Sequence, residues 1–197
     1  ELDGVGSVDE KLRRLIASAR YFGYEADVAE IEAILAEPTP EQMPCAMRVL
    51  VDREGSVRSD VAAAPQWHAG PEGSDLLAGA LTAAPASTEN VYLFHNTTNQ
   101  RFADSMQKRH PDAEVVVYCN ERDEVAGALG GNIVVSLNGD WVTPPVECGN
   151  VPNGFRNQLV GEGVIIERII HRAEMRVSAG IGLLDDIHGW RRVELVD

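Results

Sequence analysis

The sequence has few lysines and no long run of apolar residues. Lys11 and Lys108 are the only lysines among 17 basic residues, the others being arginines. Any chemistry that needs a lysine amine must therefore use one of these two side chains. The apolar runs are too short to span a bilayer, and the chain opens on polar residues rather than on a signal peptide. We therefore expect neither a membrane span nor a secretory leader.

Cysteines are also scarce, and negative charge exceeds positive charge. Cys45, Cys119 and Cys148 are odd in number and lack CxxC spacing. This argues against a disulfide framework or a zinc knuckle and favours a reducing, cytoplasmic location. The formal net charge of −14 argues against nucleic acid or an anionic membrane as the main partner. A chain of 197 residues can form one substantial domain or two small ones.

The first half of the chain predicts two helices, a hairpin and a connection. A capping box at 7–10 marks the start of the first helix. In chain order the elements are helices at 7–22 and 27–37 and hairpin strands at 46–52 and 56–61. Residues 62–88 are rich in Ala, Pro, Gly and Ser, which predicts an interdomain connection with one short helix at 75–81.

The second half alternates more quickly between short strands and helices. Strands are predicted at 91–94, 114–119, 132–137, 141–143, 164–170, 181–185 and 192–196, and helices near 98–109, 154–161 and 172–178. Antiparallel pairs dominate, and Asn138-Gly139 is a strong hairpin signal. We therefore expect a mixed α/β fold of two domains, a smaller one at 1–86 and a larger one at 87–197.

Polar residues follow the strand predicted at 91–94, in the stretch "VYLFHNTTNQRF". His95, Asn96, Thr97 and Thr98 would lie at the end of that strand, where α/β enzymes often carry catalytic groups. On the residues alone a structural interpretation is favoured, in which His95 caps the strand and the threonines cap the next helix. Asn96 places an amide in the middle of a stretch where a nucleophile or a base would be expected.

Two further stretches are rich in glycine and asparagine. "GALGGN" (127–132) suggests a phosphate loop, but no helix is predicted to follow it, so a hairpin loop is favoured. "CGNVPNGFR" (148–156) places Gly149, Asn153 and Gly154 just before a predicted helix. Here an anion site and a purely structural turn are equally open.

Asp185, Asp186 and His188 form the one cluster with metal-ligand chemistry that the sequence suggests. Three polar residues at a strand end usually form a solvated loop, so no metal is predicted. No Ser or Cys lies in a nucleophile elbow.

Together, these stretches resemble a known family, the class IV aminotransferase-like enzymes of pyridoxal phosphate (PLP) fold type IV. The stretch "LRRLIASARYFGY" (12–24) resembles the family's first long helix, and "FHNTTNQRF" resembles its lysine segment, F-H-K-T-T. Three further segments agree in order: "DEVAGALGGNIVV" (123–135), "DWVTPPVECGNVPNGFR" (140–156) and "LLDDIHGWRRVEL" (183–195). The resemblance is greatest to 4-amino-4-deoxychorismate lyase and the lyase-like domain of aminobenzoate synthase. It implies the two-domain type IV fold without its amino-terminal strands.

The resemblance also indicates which residues bind PLP in the family, and four of these positions are changed. The lysine that binds PLP covalently falls at Asn96, and the glutamate that pairs with the ring nitrogen falls at Gly127. An arginine and a small hydroxyl residue that bind the phosphate fall at Glu10 and Asp186. Carboxylates there would repel a dianion. We therefore expect no PLP and no other cofactor, and whether the chain is an enzyme stays open.

Three functions follow from the resemblance. The favoured one is a homologue that has lost PLP and acts as a non-catalytic or partner protein, beside p-aminobenzoate and folate synthesis. The second is a cofactor-independent enzyme on a small polar, chorismate-like metabolite. There, His95, Asn96 and Thr97 form a remnant catalytic site, and Arg156 and His188 bind the substrate. The third is an active PLP-dependent aminodeoxychorismate lyase. A homodimer and a small carboxylate ligand are the expected partners.

Overall fold

The computed structural model describes residues 8–37 and 44–196. They form a mixed α/β fold, which confirms the fold class predicted from the sequence. The described residues fall into two compact units, one up to Trp67 and one from His68 onward. Every candidate site residue except Glu10 belongs to the second unit.

The first unit contains two helices and one hairpin. These are helices α1 (Val8–Tyr21) and α2 (Val28–Leu35) and the antiparallel strands β1 (Cys45–Val51) and β2 (Val57–Ala63). Asp27 begins α2 as predicted, because its Oδ1 accepts hydrogen bonds from the backbone N–H groups of Ala29 and Glu30. Ser7 of the predicted capping box lies outside the described residues.

The second unit is built on an eight-stranded mixed sheet. Its strands are β3 (Leu76–Leu81), β4 (Val115–Cys119), β5 (Val125–Ala128), β6 (Asn132–Leu137), β7 (Asp140–Thr143), β8 (Ile166–Glu167), β9 (Gly180–Asp185) and β10 (Gly189–Leu195). They lie in the order β5-β4-β3-β10-β9-β6-β7-β8. β3 is parallel to both β4 and β10, and β7 is parallel to β8, while the other pairs are antiparallel.

Helices and short turns cover both faces of this sheet. Within the described ranges they are α3 (Arg101–Gln107), α4 (Gly154–Gly161), α5 (Arg172–Met175) and 3₁₀ turns at Val91–Leu93 and Val146–Cys148. Every residue of β4 is buried, which shows that the sheet has a core on each side. On one of these sides, Tyr118 packs in a cluster with Leu93, Met106 and Cys148. No helix in residues 8–37 and 44–196 is long and apolar enough to cross a membrane.

The predicted short helix at 75–81 is wrong, because this apolar stretch forms β3 in the middle of the sheet. Gly79 permits the close approach of β10: a Cβ at Gly79 would lie 2.4 Å from Cγ1 of Val193. Pairing on both edges therefore overrides the local helical pattern. As a consequence residues 68–86 pack with the second unit, whereas the sequence places the domain boundary after residue 86.

Replacing Gly79 with alanine is expected to destabilise the second unit. The new Cβ would also lie 3.4 Å from the carbonyl oxygen of Glu194, so two central strands would have to separate. We expect the free energy of unfolding to fall by about 1–3 kcal/mol in urea denaturation. Gly70→Ala, where a Cβ meets nothing within 4 Å, is the matched control. Equal stability of the two variants would contradict this packing.

Candidate functional site

The segment after Asn90 begins with a 3₁₀ turn, Val91–Leu93, and not with the predicted strand. The Asn90 side chain accepts a hydrogen bond from the backbone N–H of Tyr92 at 3.2 Å, which starts the turn. Leu93 is buried against the sheet. The polar residues therefore follow a turn that packs on the sheet face.

His95, Asn96 and Thr97 lie in irregular chain between this turn and α3. His95 and Thr97 are half-buried, whereas Asn96 is exposed. Thr97 stabilises the loop: its Oγ1 accepts a hydrogen bond from the backbone N–H of Asn99 at 3.2 Å, and its carbonyl accepts one from Gln100 Nε2 at 3.0 Å. Thr97 thus acts on its own loop, and Asn96 presents an amide to solvent.

The residues just before this segment are hydrogen-bonded to the end of β4 and to the turn between β4 and β5. The backbone N–H of Thr88 donates to Glu121 Oε2 at 3.1 Å, and the Thr88 hydroxyl donates to Glu121 Oε1. These donors, chiefly the hydroxyl, hold the pKa of Glu121 below its ordinary value. Ala86 adds a backbone bond to the carbonyl of Cys119 at 2.7 Å. The chain leading to His95 therefore has a fixed origin on the sheet.

Strand β5 brings Gly127 to the face of the sheet on which Leu93 packs. Gly127 is opposite Tyr118 of β4, and opposite residues of an antiparallel pair point to one face. Burial raises the pKa of Tyr118, so its hydroxyl stays neutral. The Tyr118 ring packs edge-to-face on Phe102 of α3, with 5.3 Å between ring centroids. The space above Gly127 is taken by Asn150, whose Nδ2 would lie 2.2 Å from a Cβ at 127.

Asn132 at the start of β6 holds the loop that leads into α4. Its Oδ1 accepts a hydrogen bond from the backbone N–H of Asn153 at 2.7 Å, and its Nδ2 donates to the carbonyl of Val151 at 2.9 Å. Asn153 in turn caps α4, accepting from the backbone N–H of Arg156 at 2.8 Å. Its Nδ2 donates to the carbonyl of Leu184 in β9 at 2.5 Å. Two side-chain amides thus join β6, the loop, α4 and β9.

The amino end of α4 contacts a carboxylate of the chain itself. Asp186 Oδ1 accepts a hydrogen bond from the backbone N–H of Phe155 at 2.9 Å. A helix amino terminus favours negative charge because its first N–H groups lack partners within the helix. The anion position predicted at 148–156 therefore receives an internal anion, Asp186.

Arg156, a predicted substrate-binding residue, is almost fully buried and already paired. One guanidinium nitrogen donates to the carbonyl of Pro144 at 2.9 Å and to Glu167 Oε1 at 2.5 Å. Another donates to Oδ1 of Asn157 at 3.3 Å. These bonds fasten α4 to the β7–β8 edge of the sheet. A ligand carboxylate would have to displace Glu167 to reach Arg156.

His188, the other predicted substrate-binding residue, pairs with Asp185. Its Nδ1 lies 3.1 Å from Asp185 Oδ1, which also accepts hydrogen bonds from the backbone N–H groups of Ile187 and His188. Burial raises the pKa of Asp185, but these donors and Arg191 outweigh it and hold that pKa below its ordinary value. No group of three metal-ligating side chains occurs in the described part of the chain.

Glu124 is a buried carboxylate that sequence reasoning missed. Its Oε2 accepts hydrogen bonds from Arg122 Nε at 2.9 Å and Asn120 Nδ2 at 2.7 Å, and it lies 3.6 Å from Cys148 Sγ. Arg122 and then Asn120 lower the pKa of Glu124 to about 2. Burial and this carboxylate raise the pKa of Cys148 to about 11. The only sequence signal for this buried carboxylate was that polar residues, Asn120 and Glu124, flank the turn after β4.

The structure brings the stretches 127–132 and 148–156 together on one face of the sheet, beside the segment that leads to His95. A Cβ at Gly149 would lie 3.6 Å from Leu93 Cδ1 and 3.7 Å from Ala126 Cβ, so the loop, the segment before His95 and β5 are in contact. Asp186 joins them through α4. Glu10, by contrast, lies in α1 of the first unit.

Comparisons with known proteins agree on one family. The sequence pattern of Amino-transferase class IV matches residues 5–196. No curated protein matches the chain. Among solved structures, a proposed amino-acid aminotransferase from Mesorhizobium loti has a TM-score of 0.81 at 21% identity, covering 95% of this chain and 91% of that one. A 4-amino-4-deoxychorismate lyase from Pseudomonas aeruginosa has a TM-score of 0.71 at 18% identity, covering 98% and 81%. At these identities the structural likeness shows the fold.

The expectation of no cofactor is wrong. A third similar structure is a branched-chain amino acid aminotransferase from Thermobaculum terrenum in its PLP-form, with a TM-score of 0.72 at 14% identity over 95% of this chain and 69% of that one. The similar structures are named as aminotransferases and lyases, which suggests PLP for this chain too.

The residues of this chain do not fit covalent attachment of PLP. Asn96 carries an amide at the position to which the sequence resemblance assigns the family's lysine, and Asn150 fills the space above Gly127. Asp186 already accepts the hydrogen bond of Phe155 at the start of α4. The cofactor that the comparisons suggest would therefore find no lysine amine at residue 96 for a covalent bond.

Replacing Glu124 with glutamine is expected to destabilise the protein in a pH-dependent way. The folded pKa of about 2 lies below the ordinary 4.5, so the stabilisation is complete above about pH 4.5 and is lost as the pH falls toward 2. We expect a loss of about 1–3 kcal/mol at pH 7 that shrinks as the pH falls to 3, measured by urea denaturation. Glu89→Gln, at an exposed position, is the control. A loss that stays constant with pH would contradict the assignment.

Proposed function

The chain belongs to the amino-transferase class IV family, and from that premise we propose that it is a diverged member acting as a non-catalytic or partner protein. The observation that carries the proposal is Asn96 at the position of the family's lysine. An amide nitrogen shares its lone pair with its carbonyl and is not a nucleophile. Any PLP that this chain binds is therefore held without a covalent bond at residue 96.

Neither lysine offers a substitute. Lys11 lies in α1, and Lys108 is the C-terminal cap of α3. Both side chains are exposed. A lysine amine becomes nucleophilic near neutral pH when an apolar pocket or a second cation lowers its pKa, and an exposed position on a helix provides no such pocket.

The surface next to the remnant site also supports a non-catalytic role over cofactor-independent catalysis. It carries only an open, shallow depression, lined by Tyr92, Thr98, Asn99, Gln100, Arg101 and Asp104. His95, the acid/base candidate, and its neighbours Asn96 and Thr97 are not among the lining residues. Of the two substrate-binding candidates, Arg156 pairs with Glu167 and His188 with Asp185.

Titration with PLP followed by borohydride reduction and peptide mass mapping tests this proposal. We expect no saturable covalent adduct on either lysine, because neither amine lies in an activating pocket. Lys11→Arg and Lys108→Arg, which keep the charge and remove the amine, are the matched controls. A saturable adduct that Lys108→Arg or Lys11→Arg abolishes would overturn the proposal and restore an active aminodeoxychorismate lyase or aminotransferase.

We further propose a cytoplasmic homodimer. The buried Cys119 and Cys148 form no disulfide, as expected in a reducing compartment. Analytical ultracentrifugation is expected to give twice the chain mass of 21.4 kDa. A species that keeps the single-chain mass at tens of micromolar would contradict the dimer.

A further inference from the structure

The side chain of Asn150 occupies the space that a side chain at position 127 would need, on the face that carries the remnant site. A Cβ built on Gly127 would lie 2.2 Å from Nδ2, 2.7 Å from Cγ and 3.0 Å from Cβ of Asn150. Cβ atoms essentially never approach other heavy atoms more closely than 3.0 Å. A side chain at 127 would therefore require the Asn150 side chain to shift away from β5.

The amide of Asn150 has a defined orientation. Its Nδ2 donates to the carbonyl of Gly131 at 3.1 Å, and only the NH₂ half of an amide can donate to a carbonyl. Oδ1 is therefore the other half. Among residues 8–37 and 44–196 no donor contacts it, and Asn150 is only half-buried. The amide atom nearest to Gly127 is therefore Nδ2, and Oδ1 remains an uncharged acceptor without a donor from the described residues.

This position belongs to the candidate site and not to the distant core. Gly127 pairs with Tyr118, whose cluster contains Leu93 of the segment leading to His95. Gly149, the neighbour of Asn150, lies against Leu93 and Ala126. Asn150, which is part of the loop into α4, therefore lies against β5 and is partly exposed to solvent.

We propose that Asn150 determines what the site admits beside β5: it closes position 127 to every other side chain and is itself the polar group presented there. This inference rests on the proposed function, since it describes a site that works without a carboxylate from β5. Asn150 then offers one uncharged hydrogen-bond acceptor, Oδ1, which suits a hydroxyl or N–H donor of a small ligand.

A double-mutant cycle tests whether the two residues share one volume. We expect Gly127→Ala to lower the melting temperature by about 4–8 °C, because Asn150 must move. In an Asn150→Gly background the same substitution is expected to cost less than about 2 °C. Asn150→Ala, which keeps the atom 3.0 Å away, is expected to give an intermediate loss. Equal losses in all three backgrounds would overturn the proposal.

Thiol labelling tests whether position 127 lies in an accessible site. In the variant Gly127→Cys with Asn150→Gly, iodoacetamide is expected to modify residue 127, as mapped by peptide mass. The buried Cys119 and Cys148 in the same molecule serve as internal controls, because burial raises the pKa of each thiol to about 11. An unlabelled residue 127 would make the pair a packing feature only and overturn the proposal. A covalent PLP adduct on a lysine would instead overturn the proposed function and leave both results here unchanged.

Discussion

The candidate site depends above all on the amide side chain of Asn132. This residue is buried at the start of β6, and it holds the loop before α4 through the backbone of Val151 and Asn153. Asn153 then caps α4 and reaches β9. Because a buried amide that loses its partners is costly, the loop has one favourable position on the sheet. Gly149 and Asn150 take their places against β5 as a result.

Internal polar groups engage two of the positions to which the sequence resemblance assigns cofactor contacts. Asp186 satisfies an N–H group at the start of α4, and Asn150 covers Gly127. Such groups would otherwise need water or a ligand, since unpaired buried polar groups are unfavourable. The chain therefore keeps the family fold without depending on a covalent cofactor for the packing of these two positions.

Prediction from sequence succeeded where a local signal decides the structure. Asp27 caps α2 because its own side chain reaches the next turn, and Asn138-Gly139 forms the turn between β6 and β7 with positive φ angles at both residues. Prediction failed for β3, whose small apolar residues suit helix and strand equally. There the decision came from parallel partners that begin about 35 and 115 residues further along the chain.

By itself, the sequence determined the mixed α/β class, the family and the absence of an amine at residue 96, since each of these depends on residue type and order. Tertiary structure alone decided the partners of polar residues that lie far apart in the chain. Arg156 pairs with Glu167, and Asn132 accepts a hydrogen bond from the backbone N–H of Asn153, whereas His188–Asp185 and Arg122–Glu124 are local pairs. The physical reason is that burial makes each charge or amide seek the nearest complementary group. Which group is nearest depends on how strands and loops distant in sequence pack together.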